Sequence, residues 1–289
     1  MTFEANLCGS YCLSLIAERF TIPAFQMTPE LEPPMRTIPS IFLLLALSCT
    51  PLVAQREPAR APGERRQILF DFRVERRNAP HRIPLATQRT VLSKMFRKYL
   101  TDDTKCGGTD SLQAARDVGQ IVPAIVDLAS GSFTGPGKSE TAYVISVNEC
   151  NASHAENFGT KRVGIFSGQR LIADVDVDFK SNILRLTDLN SDGVNELLMT
   201  SGDMNQGTLI EMAALLEFQN GRVRIIEDFG TVTEDSCASL MRGSSSKASV
   251  LTFSNVVAGK MPRLRMENYE ANCRKAKRWR FLSTGRMPE

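Results

Sequence analysis

Hydrophobic and polar residues alternate along much of the chain after residue 120, and this period of two is typical of half-buried β-strands. In TAYVISVNE, Tyr143, Ile145 and Val147 alternate with smaller or polar residues and share one face. Two longer segments, VGIFSGQRLIADV and AALLEFQNGRVRIIE, each contain a turn between apolar runs, the second at Asn220-Gly221, a dipeptide that accepts positive φ angles. The pattern predicts a mainly β domain rich in antiparallel hairpins.

The segment before these strands has a helical period. In TQRTVLSKMFRKYL, apolar residues recur from Val91 to Leu100 at spacings of one, three and four, and Thr87 is available as the N-cap. This spacing predicts an amphipathic helix whose apolar stripe faces the core. The preceding segment, residues 66–76, is compatible with a strand that helps to complete the sheets.

A repeat of 52 to 56 residues is present within the β region. The segment SFTGPGKSETAY (132–143) aligns without gaps with DLNSDGVNELLM (188–199) at an offset of 56, which matches Gly137 with Gly193 and Glu140 with Glu196. The two hairpins align at an offset of 52, and RVRII (222–226) aligns with RWRFL (278–282) at an offset of 56. Three similar β units are the simplest explanation, the third without acidic ligands.

The second repeat contains a loop rich in oxygen donors. Calcium prefers six to eight oxygen ligands at about 2.3 to 2.6 Å, and donors at alternate positions of a loop can surround it. Met199 stands where an EF-hand requires glutamate, so an ordinary EF-hand is excluded. We predict a structural calcium site with an affinity of roughly 10⁻⁴ to 10⁻³ M, and the alternative is a metal-free turn hydrogen-bonded to itself. The predicted ligands are the side chains of Asp188, Asn190, Asp192 and Glu196 and the carbonyl of Val194.

This loop, with the aliphatic strand that follows it, resembles the calcium loop of the FG-GAP/VCBS repeats of integrin-like β-propellers in exported proteins. GSFTGPGKSETAYVIS is similar to a second such repeat that has lost its ligands. The resemblance implies four-stranded, blade-like units and no particular substrate. We therefore expect a mainly β fold of about three propeller-like four-stranded units, forming an incomplete propeller or a sandwich-like stack, with an N-terminal amphipathic helix.

The N-terminal region has the segment order of a secretory signal. From Met35 the sequence places one arginine, an apolar stretch and then small residues before Gln55, and the apolar part is too short for a transmembrane anchor. Cleavage after Ala54 is the favoured prediction, and a lipoprotein anchored through Cys49 is the alternative. The predicted segments are a wrongly extended start at 1–34, a signal peptide at 35–54, a disordered basic tether at 55–85 and a β-repeat domain at 86–289.

Four of the seven cysteines fall in the predicted mature chain. An even number in an exported protein favours two disulfides, and sequence order suggests pairing Cys106 with Cys150 and Cys237 with Cys273. The other two pairings remain open. A zinc site is disfavoured because the four cysteines are scattered singly, without a CxxC pair.

Charge and motifs limit the function without identifying a ligand. The net charge of +3 over 289 residues, with basic residues spread along the chain, argues against a nucleic-acid-binding protein. We predict an exported, periplasmic or secreted, calcium-stabilised binding or structural module with a protein or glycan partner. Asp203 and Asn205 are candidate groove residues near the metal. The alternative is a periplasmic hydrolase in which Cys150 and His154 act as nucleophile and base, which conflicts with a disulfide at Cys150.

Overall fold

The computed structural model describes residues 66–74, 81–153, 156, 159–178, 180–238, 244–273 and 278–287. The predicted extension 1–34, the signal peptide 35–54 with Cys49, and His154 lie outside the described residues. So does most of the predicted tether. The described residues form a mainly β structure of two antiparallel sheets with two short α-helices.

The elements follow one another in a simple order. The chain runs through β1 (Gln67–Asp71), α1 (Leu85–Met95), a 3-10 turn (Asp103–Lys105), α2 (Leu112–Val118), β2 (Ala124–Gly131), β3 (Glu140–Ser146), β4 (Lys161–Ser167), β5 (Arg170–Asp176), β6 (Asn182–Thr187), β7 (Glu196–Asn205), β8 (Thr208–Gln219), β9 (Arg222–Asp235), β10 (Ser245–Ser254), β11 (Arg263–Asn272) and β12 (Arg280–Thr284).

The first sheet is an antiparallel meander in the order β2-β3-β4-β5. Strand β3, one of its two central strands, is buried on both faces, so the prediction of a half-buried strand is wrong there. Ala142 and Val144 enter the core on one face, while Ile145 is fully buried on the other. Covering a sheet on both sides removes the need for a polar face, and here α1 contacts β2 and β5.

Helix α1 differs from its prediction at both ends. It begins at Leu85 after Pro84, which makes no side-chain cap, so Thr87 is not the N-cap. It ends at Met95, because the chain then becomes extended and the N–H of Leu100 donates to the carbonyl of Ile121 at 2.8 Å. A Cβ added to Gly164 would lie 2.5 Å from the sulfur of Met95, so the glycine permits the close approach of helix and sheet.

The second sheet has the order β12-β11-β10-β9-β8-β7-β6, with β1 also paired to β10. Strand β9 pairs with β10 only at Ser246–Ala248, and β1 pairs with β10 at Val250–Phe253. In the described residues, β2–β5 form one four-stranded group, and the short β9–β10 contact divides the strands of the eight-stranded sheet into two further groups, β6–β9 and β1 with β10–β12. Residues 67–71 of the predicted tether 55–85 form β1 and pair with β10, within the segment 66–76 for which a strand was the other prediction.

Two hydrophobic cores meet at β7. Leu197 and Met199 join the core that includes residues of the first sheet, whereas Leu198 joins the core that also contains Leu69 and Phe70 of β1. All three β7 side chains are completely buried. Consecutive side chains of a strand point to opposite faces, so this single strand connects the packing of the two cores.

The two disulfides have the pairing suggested by sequence order. Cys106 bonds to Cys150 and Cys237 bonds to Cys273, each pair with a Cα–Cα distance of 5.2 Å. Such bonds persist in oxidising, exported compartments. No helix in the described ranges is long and apolar enough to cross a membrane.

Replacing Leu69 with alanine should reveal whether β1 is part of the folded domain. Leu69 is fully buried, so Leu69→Ala should lower the free energy of unfolding by about 2 to 5 kcal/mol in urea denaturation. Ile68→Ala is the matched control. Ile68 lies on the same strand but is 53% exposed, so its replacement should lower the free energy of unfolding much less. Equal and small losses for both variants would show that β1 does not pack on the domain.

Candidate metal centre

The predicted metal loop connects β6 to β7, and an equivalent loop connects β2 to β3. Strands β2 and β6 end at Gly131 and Thr187, and strands β3 and β7 begin at Glu140 and Glu196. Both pairs of positions differ by 56 residues, which is the offset of the sequence repeat. The sequence repeat therefore corresponds to two loops of the same length between equivalent strand ends.

A buried glutamate closes each loop in the same way. Glu196 accepts a hydrogen bond from the N–H of Leu189 at 2.8 Å, and Glu140 accepts one from the N–H of Phe133 at 2.8 Å. Each bond spans seven residues, and all four residues are buried. Since a buried carboxylate must be satisfied by hydrogen bonds or by positive charge, each glutamate fixes the path of its loop.

In the second loop, the predicted ligands hydrogen-bond the loop backbone. Asp188 accepts from the N–H groups of Asp192 and Gly193 at 3.1 and 3.0 Å, and Asp192 accepts from Val194 at 2.8 Å. Asn190 also accepts from the Asp192 N–H, at 3.1 Å, and its amide donates to the Asp192 carboxylate at 2.9 Å. These contacts form the self-bonded turn that was the alternative to a calcium site.

The first loop has its own cation. The ammonium group of Lys138 donates to the carbonyl and the hydroxyl of Thr134 at 3.1 and 2.9 Å, and the Thr134 hydroxyl donates to Glu140. At the offset of 56, Ser132 and Pro136 occupy the positions of Asp188 and Asp192. The first loop thus has a lysine and one carboxylate, whereas the second has three carboxylates and no lysine.

This difference in charge shifts the pKa values of the two glutamates in opposite directions. Burial, together with the charges of Asp188 and Asp192, raises the pKa of Glu196 to about 7, although backbone hydrogen bonds from Leu189 and Glu196 act in the opposite direction. Burial also acts to raise the pKa of Glu140, but the hydrogen bonds from Thr134 and Phe133 and the charge of Lys138 outweigh it and lower that pKa.

The second loop lies between two other loops. Asn195 donates its N–H to the Ser132 carbonyl at 2.6 Å, and its side-chain oxygen accepts from the Ser132 N–H at 2.8 Å. On another side, the carbonyl of Asn190 accepts from the N–H of Gly259, in the β10–β11 connection, at 2.6 Å. The conformation of the loop therefore affects contacts with both neighbouring groups of strands.

A small cavity of about 150 Å³ adjoins the second loop. Asp192, Val194 and Glu196 line it together with Glu217 of β8, which the sequence analysis did not identify. Glu217 pairs with Arg224 directly across the β8–β9 hairpin. These two opposite charges are symmetrical about the Asn220-Gly221 turn in the sequence, and that symmetry is the signal that could have identified Glu217 as a cross-strand partner.

The other predicted site residues do not gather at this loop. Asp203 and Asn205 lie within β7, not in a loop, seven and nine residues beyond Glu196. At about 3.3 Å per residue they lie roughly 20 to 30 Å along the strand from Glu196, the last of the predicted metal ligands. The disulfide at Cys150 occupies the sulfur that the hydrolase alternative needs as a thiolate.

The pH dependence of stability should distinguish the two glutamates. With chelator present, the protonated Glu196 side chain contributes fully to the free energy of unfolding below about pH 4.5, because its pKa in the folded chain is raised. This contribution is lost as the pH rises through about 7, which should lower the free energy of unfolding by roughly 3 kcal/mol. Glu196→Gln, which has no charge to bury, should remove this loss in urea denaturation series.

Glu140→Gln is the matched control for this series. Because the pKa of Glu140 is lowered in the folded chain, its ionised carboxylate contributes to stability above the ordinary glutamate pKa, and this contribution is lost as the pH falls. Glu140→Gln should therefore leave the loss between about pH 4.5 and 7 in place. An unchanged slope in Glu196→Gln would contradict the assignment to Glu196.

Thiol labelling should test the hydrolase alternative. In the folded, oxidised chain, an alkylating reagent followed by peptide mapping should leave Cys150 unmodified, because its sulfur is in the disulfide with Cys106. Treatment with a reductant should make the same peptide reactive. Rapid labelling of Cys150 without reductant would instead favour a nucleophilic cysteine.

Comparison of the chain with models of known protein families, with curated proteins and with solved structures found no significant match.

Proposed function

We propose that this chain is an exported β-repeat binding module in which residues 188–196 hold a structural calcium ion. The observation that carries the proposal is the contrast between two otherwise equivalent loops. One contains Lys138 beside its buried glutamate, whereas the other has Val194 at the position of the lysine and adds Asp188 and Asp192 around Glu196. A bound divalent cation would supply the positive charge that the second loop lacks.

The donors of the second loop suit a hard cation. Carboxylate, amide and carbonyl oxygens are the ligands that calcium prefers, and Asp188, Asn190, Asp192, Glu196 and the Val194 carbonyl provide them. Within the part of the chain that the structure describes, no group of three or more His, Cys, Asp or Glu is arranged to hold a metal. The aspartate oxygens now accept loop N–H groups, so ion binding requires these side chains to exchange hydrogen bonds for metal contacts.

A stabilising role is supported by the position of the loop. It connects β6 to β7, the strand shared by the two cores, and it contacts the loops of the neighbouring four-stranded groups through Asn195 and Asn190. We propose that these three groups are propeller-like units, with β1 supplying the first strand of the third. An ion that neutralises this junction would stabilise all three without taking part in catalysis.

The remaining surface is then available for a partner. An exported module with two disulfides and a metal-stabilised scaffold fits the recognition of an extracellular protein or glycan. The scaffold supplies rigidity, because the loops between its strands are held by disulfides and hydrogen bonds.

Calcium should raise the melting temperature of the folded chain relative to chelator. At 10 mM calcium and a dissociation constant of roughly 10⁻⁴ to 10⁻³ M, linkage predicts about 1.4 to 2.7 kcal/mol of stabilisation, or several degrees. Asp192→Asn should abolish most of this shift while keeping an acceptor for the Val194 N–H.

Asp203→Asn is the matched control, because it removes a β7 carboxylate far along the strand from the loop. It should retain the full calcium shift. If calcium leaves the wild-type melting temperature unchanged, or shifts Asp192→Asn as much as wild type, the loop is a metal-free turn.

A further inference from the structure

A second charged site lies in the group formed by β1 and β10–β12. A cavity of about 450 Å³ opens between β9, β11 and the residues that follow β12. Four arginines line it, from three separate parts of the chain: Arg66, Arg263, Arg265 and Arg286. Among the described residues that line it, only Glu227 and Asp228 carry carboxylates, so this part of the lining has an excess of positive charge.

The neighbouring carboxylates leave part of this charge uncompensated. Arg66 pairs with Glu267 at 2.9 Å, and Asp228 directs its carboxylate to the N–H of Gly230 at 3.0 Å. Arg286 donates to the main-chain carbonyl of Asp228 at 3.3 Å, a contact that does not neutralise it. Arg263 is exposed, and no ion pair joins it to a carboxylate of the described residues.

Part of the cavity lining is apolar and consists of Phe229, Leu264 and Met266. Phe229 and Met266 are 4% and 5% exposed and belong to the second core, and Leu264 packs against that core. The arginine side chains thus lie around an apolar surface against which a hydrocarbon or aromatic group can pack. Ligand sites of about 300 to 1,000 Å³ commonly combine an apolar lining with a few charged groups that fix orientation.

We propose that this cavity binds a small organic anion, with its carboxylate or phosphate group between Arg263 and Arg286 and its apolar body against Phe229, Leu264 and Met266. A guanidinium group can donate two parallel hydrogen bonds to either kind of anion. The inference rests on the proposed role as a binding module and names a ligand class for it. It does not depend on calcium, because none of the predicted calcium ligands lines this cavity.

Isothermal titration calorimetry with paired probes tests the proposal. The folded, oxidised chain is titrated with 1-naphthoate, with its neutral counterpart 1-naphthamide, and with 1-naphthyl phosphate. 1-Naphthoate should bind at least tenfold more tightly than 1-naphthamide, since only the anion uses the arginines. Comparison of 1-naphthoate with 1-naphthyl phosphate identifies which anionic group the cavity prefers.

Arginine variants locate the binding. Arg263→Gln and Arg286→Gln should each weaken binding of the preferred anion about tenfold. Arg222→Gln, which removes an exposed arginine of β9 outside the cavity, should leave it unchanged. Equal affinity for 1-naphthoate and 1-naphthamide, the same loss in Arg222→Gln as in Arg263→Gln, or no binding of either anion at millimolar concentration would overturn the proposal.

Titration in chelator keeps this test separate from the calcium proposal. Anion binding should be the same with chelator and with calcium, provided that the chain is folded under both conditions. Absence of a calcium shift in melting temperature together with arginine-dependent anion binding would remove only the metal. A calcium shift in melting temperature without arginine-dependent anion binding would remove only the anion site.

Discussion

A buried carboxylate that closes a loop by accepting a backbone N–H seven residues earlier is the interaction on which the candidate site depends. It occurs twice, at Glu140 and at Glu196. Burial of a carboxylate is costly unless hydrogen bonds and positive charge compensate for it. The first loop meets this requirement with Thr134 and Lys138. In the second loop, the carboxylates of Asp188 and Asp192 lie near Glu196 instead of a positive charge.

The same constraint connects the site to the rest of the fold. Glu196 is the first residue of β7, and the next three residues of that strand supply side chains to both cores. A change in the loop therefore acts on a strand that has little freedom to move, because its neighbours are packed on both faces. This is why an ion in the loop is expected to affect the stability of the whole domain.

Charge is distributed unevenly over the domain. Acidic groups gather at the second loop, where Glu217 adds a further carboxylate beside the small cavity, and arginines gather at the larger cavity of the third group. The first arrangement suits a cation with a structural role and the second suits an anion with an apolar body. The small net charge of +3 conceals this separation.

The sequence predicted the features that depend on local pattern. Alternation indicated the strands, the offset of 56 identified two loops whose strand ends are equivalent in the structure, and cysteine order suggested, among three possible pairings, the two disulfides that are present. The strands and the two loops arise within short segments, so neighbouring residues are sufficient to specify them. The disulfides join cysteines that are 44 and 36 residues apart, so the fold decides their pairing. The metal itself remains a prediction.

Tertiary structure decided what depends on distant partners. Sequence could not show that β1 occupies the edge of β10 that β9 leaves open, that α1 packs against β2 and β5 of the first sheet, or that Asp203 and Asn205 lie far along β7 from the loop. It also did not reveal the cavity formed by arginines at positions 66, 263, 265 and 286. Hydrophobic pattern records that a side chain is buried, but only the packing of segments far apart in the chain determines what buries it.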